Sequence, residues 1–267
     1  MNSNNEININ DYTFSKKISD KYVYIIAFFI GIVIITIGAY FFIGPFLYIT
    51  KAFQYTDINE FVEELTHSFV EYQGVLLLLA DGLGIILTIA LLGKIFTNDA
   101  KAFINNWKRC LICIGCGILA IYLFGELFEF LQIKLGIEGS SENQEILEMS
   151  LNGGGRLAMI LSICIGAPIF EELVFRKFIY GYLSRTKLHI ILNIAIVAFI
   201  FAMIHCLSEN FLTFTAYFFL ANYLVLSLSL TLPYVLSKGN IYVSIAIHMF
   251  NNILSLLYFY GVLSVIL

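Results

Sequence analysis

Glu171 and Glu172 stand side by side in the run Phe170-Glu171-Glu172-Leu173-Val174-Phe175-Arg176, within a segment apolar enough to cross a membrane. A charged side chain at the bilayer centre costs roughly 2.5 to 3.5 kcal/mol even on lenient insertion scales, so two adjacent carboxylates mark a buried polar site. Residues four apart share a helix face, which lets Glu172 and Arg176 form an ion pair that neutralises both inside a bundle. Glu171 is left over, about 100° round the helix, within reach of a neighbouring helix and suited to act as a general base. Pro168, three residues earlier, cannot donate its backbone hydrogen bond and should kink the helix or loosen a turn, admitting water. The plainer alternative for the same residues is a structural salt bridge between helices.

Two later apolar segments carry polar groups at the same i, i+4 spacing: Phe201 with His205, and His248 with Asn252. Taken singly, a membrane histidine is more often a hydrogen-bonded packing residue, and Phe201 reads as ordinary aromatic packing. His248 and Asn252 offer two polar groups side by side on one face. Three such pairs on three separate segments fit one assembled site better than three independent accidents.

The order Glu-Glu-x-x-x-Arg, then Phe-x-x-x-His, then His-x-x-x-Asn, on successive hydrophobic segments, resembles the CPBP family of intramembrane proteases, also called Abi or type II CAAX prenyl endopeptidase-like. The likeness covers roughly residues 157 to 257. It implies an endopeptidase acting on a membrane-associated peptide or lipidated protein, of CAAX, bacteriocin or signalling type. Glu171 with His205 would activate a water, His248 and Asn252 would stabilise the oxyanion, and Glu172 would support the site with Arg176, Phe201 and Pro168. The family includes proteins called metalloproteases, so zinc is the cofactor the resemblance allows, held in that case by Glu171, His205 and His248. There is no His-Glu-x-x-His, and the reading leans to metal-free, glutamate-based hydrolysis.

The elements that must position these residues follow from composition. Hydrophobic residues make up 60% of the 267-residue chain and charged ones 13%, with a mean hydropathy of +0.87. That excludes a soluble domain and predicts an all-α, polytopic transmembrane bundle of about seven helices. Long apolar runs suggest spans at Tyr22 to Ile49, Gly74 to Leu92, Cys110 to Ile133, Leu157 to Leu183, Leu188 to Cys206, Phe211 to Leu236 and Ile241 to Leu267. A break near Pro233 or a re-entrant start would change the count. Residues 1–21 form a polar leader without a signal-peptide core, residues 22–156 hold the first three spans and residues 157–267 the core that carries the motifs.

Charge placement orients the bundle. Lys16, Lys17 and Lys21, then Lys94, Lys101, Lys108 and Arg109, then Lys177, Arg185 and Lys187, and finally Lys238 fall on one side, while the opposite loops, around Glu63 and Glu145, are acidic. The positive-inside rule then predicts a cytoplasmic N-terminus and an external C-terminus in a cell membrane, and the Ile, Asn, Lys, Tyr and Phe content suggests a bacterial source. A net charge of -4 argues against nucleic acid. Five cysteines suggest no disulfide framework, and Cys110, Cys113 and Cys116 read as small packing residues rather than metal ligands.

Counting about 1.5 Å per residue from the cytoplasmic helix ends puts His248 shallow, Glu171 near mid-membrane and His205 deeper, toward the outer face, so straight parallel helices would hold them apart. Asp81, Glu126 and Glu129 either line a path or snorkel to the outer interface. They keep two other readings open: a small transporter, or a scaffold or bacteriocin self-immunity protein with a membrane partner. A regulatory partner or homo-oligomer fits either role.

Overall fold

The computed structural model describes residues 57–92, 95–153 and 155–261. Among the described residues every regular element is helical: α1 (Ile58–Leu92), α2 (Ile95–Asn105), α3 (Trp107–Leu135), α4 (Glu142–Leu151), α5 (Arg156–Leu183), α6 (Ile190–His205), α7 (Phe214–Leu236) and α8 (Ile241–Phe259). The helices α3, α5, α7 and α8 are each long and apolar enough to cross a membrane, and α6 and the Tyr72–Leu87 part of α1 are shorter apolar stretches. The described residues are those of an all-helical membrane protein. The expected first span, the leader before it and the end of the seventh span lie outside the described residues.

Two connections read from sequence as loops are helical. The basic stretch before α3 contains α2, whose Phe96 and Phe103 pack on the core. The acidic stretch after α3 contains α4, started by Ser141, whose Oγ accepts from the Gln144 N–H as an N-cap. Between them α3 ends at Gly136, in the left-handed conformation (φ 64°), where Gly136 and Ile137 return their N–H groups to Ile133 and Gln132.

Pro233 does not break α7. The helix runs from Phe214 to Leu236, with the missing proline N–H absorbed inside it. The proline that does reshape its helix is Pro168. Just before it, residues 162–166 form a wide π-helical turn in which the Ala167 N–H reaches back five residues to the Ser162 carbonyl. The proline ring crowds the carbonyl four residues earlier, and widening the ladder relieves that clash. A second π-helical stretch, Leu173–Tyr180, follows directly after the glutamates, so α5 is locally rewound on both sides of them.

The core lies around α6, with Val197, Ala198, Phe201 and Ala202 fully buried against Val174 and Phe175 of α5, Leu230 of α7 and Ile247 of α8. α3 instead packs through one narrow stripe, Cys110, Cys113 and Gly117, and turns Leu111, Ile112, Leu119 and Leu123 outward. In a bilayer that outer face needs no protein partner. Gly117 is where α3 meets two helices: a Cβ there would run into the Ile247 side chain and come within 3.1 Å of Pro233 Cγ, whereas one at Gly115 would meet nothing. Gly117→Leu is expected to lower stability by about 1–3 kcal/mol and Gly115→Leu by much less, read as melting temperatures in detergent. Equal shifts would remove the close-approach argument.

Candidate active site

Polar side chains of all three motifs meet although they come from helices of different length and depth. Glu172 is fully buried, and both its oxygens are engaged: Oε1 accepts from His248 Nδ1 at 2.9 Å, and Oε2 lies 3.0 Å from Arg176 Nε. Arg176 is also fully buried, with its guanidinium carbon 5.2 Å from the Phe201 ring centre and 5.8 Å from that of Phe175. Those rings, themselves edge-to-face at 4.9 Å, replace water around the cation. The second π-helical stretch begins between Glu172 and Arg176, yet the i, i+4 pair expected from sequence still closes.

Glu171 faces the other way. Its Oε2 lies 3.7 Å from His205 Nε2 and 3.9 Å from His248 Nε2, and makes no hydrogen bond within the described residues. Both rings turn their other nitrogen outward. His205 Nδ1 sits 2.8 Å from the Phe201 carbonyl, which can only accept, so Nδ1 carries the hydrogen. His248 Nδ1 likewise donates to the Glu172 carboxylate. In neutral rings both Nε2 lone pairs then converge on the space in front of Glu171.

That space opens into a cavity of about 950 Å³, lined by Glu171, His205, His248 and Asn252 together with residues of α1, α3, α4 and α7. Asp81 of α1 is buried beside it and accepts a 2.5 Å hydrogen bond from Ser162 Oγ, on the π-helical turn before Pro168. Glu129 also lines the cavity, whereas Glu126 is exposed on α3 and does not. Asp81 is therefore turned into the protein rather than snorkelled outward.

Asn252 donates from Nδ2 to the Ile163 carbonyl at 2.8 Å. This carbonyl is one that the π-helical turn and Pro168 leave free: Ala167 bonds to Ser162 instead, and residue 168 has no N–H. Sequence reading links Asn252 to the site but cannot anticipate this bond, because it depends on the turn's widened ladder. An amide nitrogen has a second hydrogen, and Asn252 lines the cavity.

Tyr223 of α7 is the site residue that sequence reading misses. Its ring lies 5.0 Å from that of His205, tilted by 30°, on a ring that Phe201 also stacks at 4.2 Å. Its hydroxyl meets Ser141 Oγ at 3.0 Å and takes a hydrogen bond from Asn143 Nδ2 at 3.2 Å, tying the start of α4 to His205. A tyrosine in an aromatic-rich apolar run gives no signal of its own, since nothing in sequence spacing pairs it with a histidine 18 positions earlier.

Cation-binding chemistry fits the donor set, because two Nε2 lone pairs and a carboxylate oxygen face one another, and each ring is oriented through its other nitrogen. The separations of 3.7 and 3.9 Å are wider than the ~3.3 Å between ligand atoms in a tetrahedral zinc site, and no trio of His, Cys, Asp or Glu among the described residues closes to metal spacing.

Residues 153–254 match the model of the Rce1-like family, described as type II CAAX prenyl endopeptidase Rce1-like. The match covers well under half of the chain, and every residue of the three motifs falls inside it. No curated protein and no solved structure matches the chain.

Proposed function

From residues 153–254 carrying the Rce1-like segment of the CPBP/CAAX protease family, we propose that this chain hydrolyses a peptide bond of a membrane-associated substrate, with Glu171 as the general base. The observation that carries the reading is the convergence of Glu171 Oε2 with the Nε2 atoms of His205 and His248 at the wall of the cavity. A water there donates one hydrogen to Glu171 and the other to His205, since 3.7 Å is short enough for one molecule to bridge both acceptors. That leaves its lone pair aimed at a substrate carbonyl. As the oxygen–carbon bond forms, Glu171 takes the proton and the carbonyl oxygen becomes an oxyanion. Asn252, and His248 when its ring carries both hydrogens, donate to that oxyanion. Collapse breaks the carbon–nitrogen bond, and the proton held by Glu171 passes to the leaving amine.

Glu172 and Arg176 take no part in the proton transfers. Glu172 orients His248, and Arg176 balances the charge of Glu172 in a dry interior. Were a metal ion required, Glu171, His205 and His248 would be the residues to hold it, and it would supply Lewis-acid activation of the attacking water. The catalytic core is residues 157–267, and the chain's own N-terminus, ahead of the first span, is cytoplasmic. Peptide maturation or bacteriocin immunity in a bacterial membrane fits the chain better than prenyl-protein work.

The test compares membrane proteomes of cells carrying the wild-type chain and Glu171→Ala, looking for a precursor that accumulates, with and without chelator treatment of the purified protein. A precursor that appears only in the variant supports hydrolysis, and loss of processing on chelation assigns the metal. Asp81 keeps a transport reading open, because it lines the same cavity. Transport that fails in Asp81→Asn and survives in Glu171→Ala would overturn the hydrolase, and a phenotype untouched by either points to a scaffold.

Tyr223 supplies a graded check. Tyr223→Leu removes the ring beside His205 and is expected to slow processing about 10- to 100-fold, while Tyr223→Phe, which keeps the ring, should lose less. Equal losses would assign the effect to the hydroxyl and α4 instead.

A further inference from the structure

His248 stands only seven positions into α8, and the start of that helix is drawn into the protein: Asn240 and Ile241 are buried, whereas Leu188 before α6 is 41% exposed. The group that holds it there is Asp99 of the short helix α2, outside the segment that matches the protease family. Asp99 Oδ2 accepts the Ile241 N–H at 2.8 Å, and the Asp99 carbonyl accepts from Asn240 Nδ2 at 2.8 Å. The same Oδ2 pairs with Lys177 Nζ at 2.5 Å, and that ammonium also donates to the Gly239 carbonyl at 2.8 Å. One partly buried carboxylate thus joins α5, five residues after Glu172, to the first turn of α8.

The connection it closes is tight. Between α7 and α8 the backbone passes through two left-handed residues, Lys238 (φ 65°) and Gly239 (φ 75°), and a positive φ is uncommon for a side chain such as lysine. Gly239 N–H returns to the Tyr234 carbonyl at 2.8 Å, so the turn has little slack. Sequence reading counts Lys177 with Arg185 and Lys187 among the basic residues at one membrane side. In the structure Lys177 lies within α5, is buried and is committed to Asp99.

We propose that Asp99 is a positioning residue for His248: by tying Lys177 of α5 to the start of α8, it sets the depth at which the His248 ring meets Glu172 and faces Glu171. The inference rests on the reading of Glu171, His205 and His248 as the working site. It also gives α2, which lies outside the segment that matches the protease family, a function in the chemistry. Misplacing a reacting group by about 1 Å costs on the order of 100-fold in rate, so loss of the tie should be visible in turnover without unfolding the bundle.

The experiment uses the full chain in lipid vesicles with Asp99→Asn, which removes the charge and keeps the size. Hydrogen exchange is followed over the first turn of α8, and the probe for turnover is the precursor that accumulates in Glu171→Ala membranes. Exchange at that turn is expected to rise at least ~10-fold while the rest of α8 stays protected. The maximal processing rate should fall about 10- to 100-fold with KM changed less than about 2-fold.

Unchanged exchange overturns the latch. Faster exchange with an unchanged processing rate overturns the positioning role, as does a loss confined to KM. If Glu171→Ala accumulates no precursor, the hydrolase reading fails, and the exchange result alone then supports or overturns the latch. Should Asp99→Asn fail to reach the membrane folded, Asn240→Ser carries the same measurements: it drops the bond to the Asp99 carbonyl and keeps a side chain that can cap α8.

Discussion

Glu171→Ala is expected to lower processing of the accumulating precursor by about 10²- to 10⁴-fold, the range for removing a positioned general base, while the protein still inserts and folds. The second half of that expectation comes from geometry. Among the described residues Glu171 Oε2 makes no hydrogen bond and no cation is paired with it alone, and its side chain is 15% exposed toward the cavity. Deleting it strands no buried partner. His205→Ala should match the loss, because its Nε2 shares the water, although its ring is packed between Phe201 and Tyr223 and its removal leaves a hole. Melting temperature in detergent separates the two effects: Glu171→Ala stays close to the wild type and His205→Ala falls. Cleavage that persists in both variants would sink the assignment.

Arg176→Met is expected to behave in the opposite way, losing stability first. The guanidinium and the Glu172 carboxylate are both fully buried, and removing one member of such a pair leaves an uncompensated charge in a medium that cannot solvate it. Breaking a buried pair from one side costs about 3–5 kcal/mol, enough to clear the variant from the membrane or to lower its melting temperature by many degrees. The double variant Glu172→Gln, Arg176→Met should recover a large part of that loss, because it leaves no unpaired charge. It should remain inactive, because Glu172 no longer holds His248 Nδ1 as a carboxylate. If the double variant is no more stable than Arg176→Met alone, the pair is not what that arginine contributes, and its packing between Phe175 and Phe201 is.

Much of this site is legible in the sequence because burial of charge in an apolar helix is costly, and the cost makes each charged residue conspicuous. The split between the glutamates follows from helix periodicity alone: Glu172 and Arg176 share a face, and Glu171 points elsewhere. The same periodicity pairs Phe201 with His205, and the structure adds that the Phe201 carbonyl fixes which ring nitrogen of His205 carries hydrogen. The apolar runs likewise locate α3, α5, α6, α7 and the start of α8 to within a few residues, since the length needed to cross hydrocarbon leaves little freedom. Short helices have no such constraint, which is why α2 and α4 are read as loops.

Depth is where counting along the chain fails. It assumes that helices start level at one membrane face and rise equally per residue, and neither holds. α8 begins inside the protein, tied to Asp99, and α5 is rewound by π-helical turns on either side of Glu171. Pro168 announces a disturbance in sequence, but whether a helix answers with a kink, a break or a widened turn depends on which neighbour accepts the freed groups, here Asn252 on a helix 84 positions away.

The amino-acid sequence by itself determined that the chain is a helical membrane protein with polar groups at three fixed places, because hydrophobicity, span length and i, i+4 spacing are local properties of a helix in lipid. Only the tertiary structure decided that Glu171 faces two Nε2 atoms, that Tyr223 supports His205 and that Asp99 and Lys177 belong together. Those contacts join residues of different helices, and which side chains meet there is set by how the helices stagger and rotate against one another.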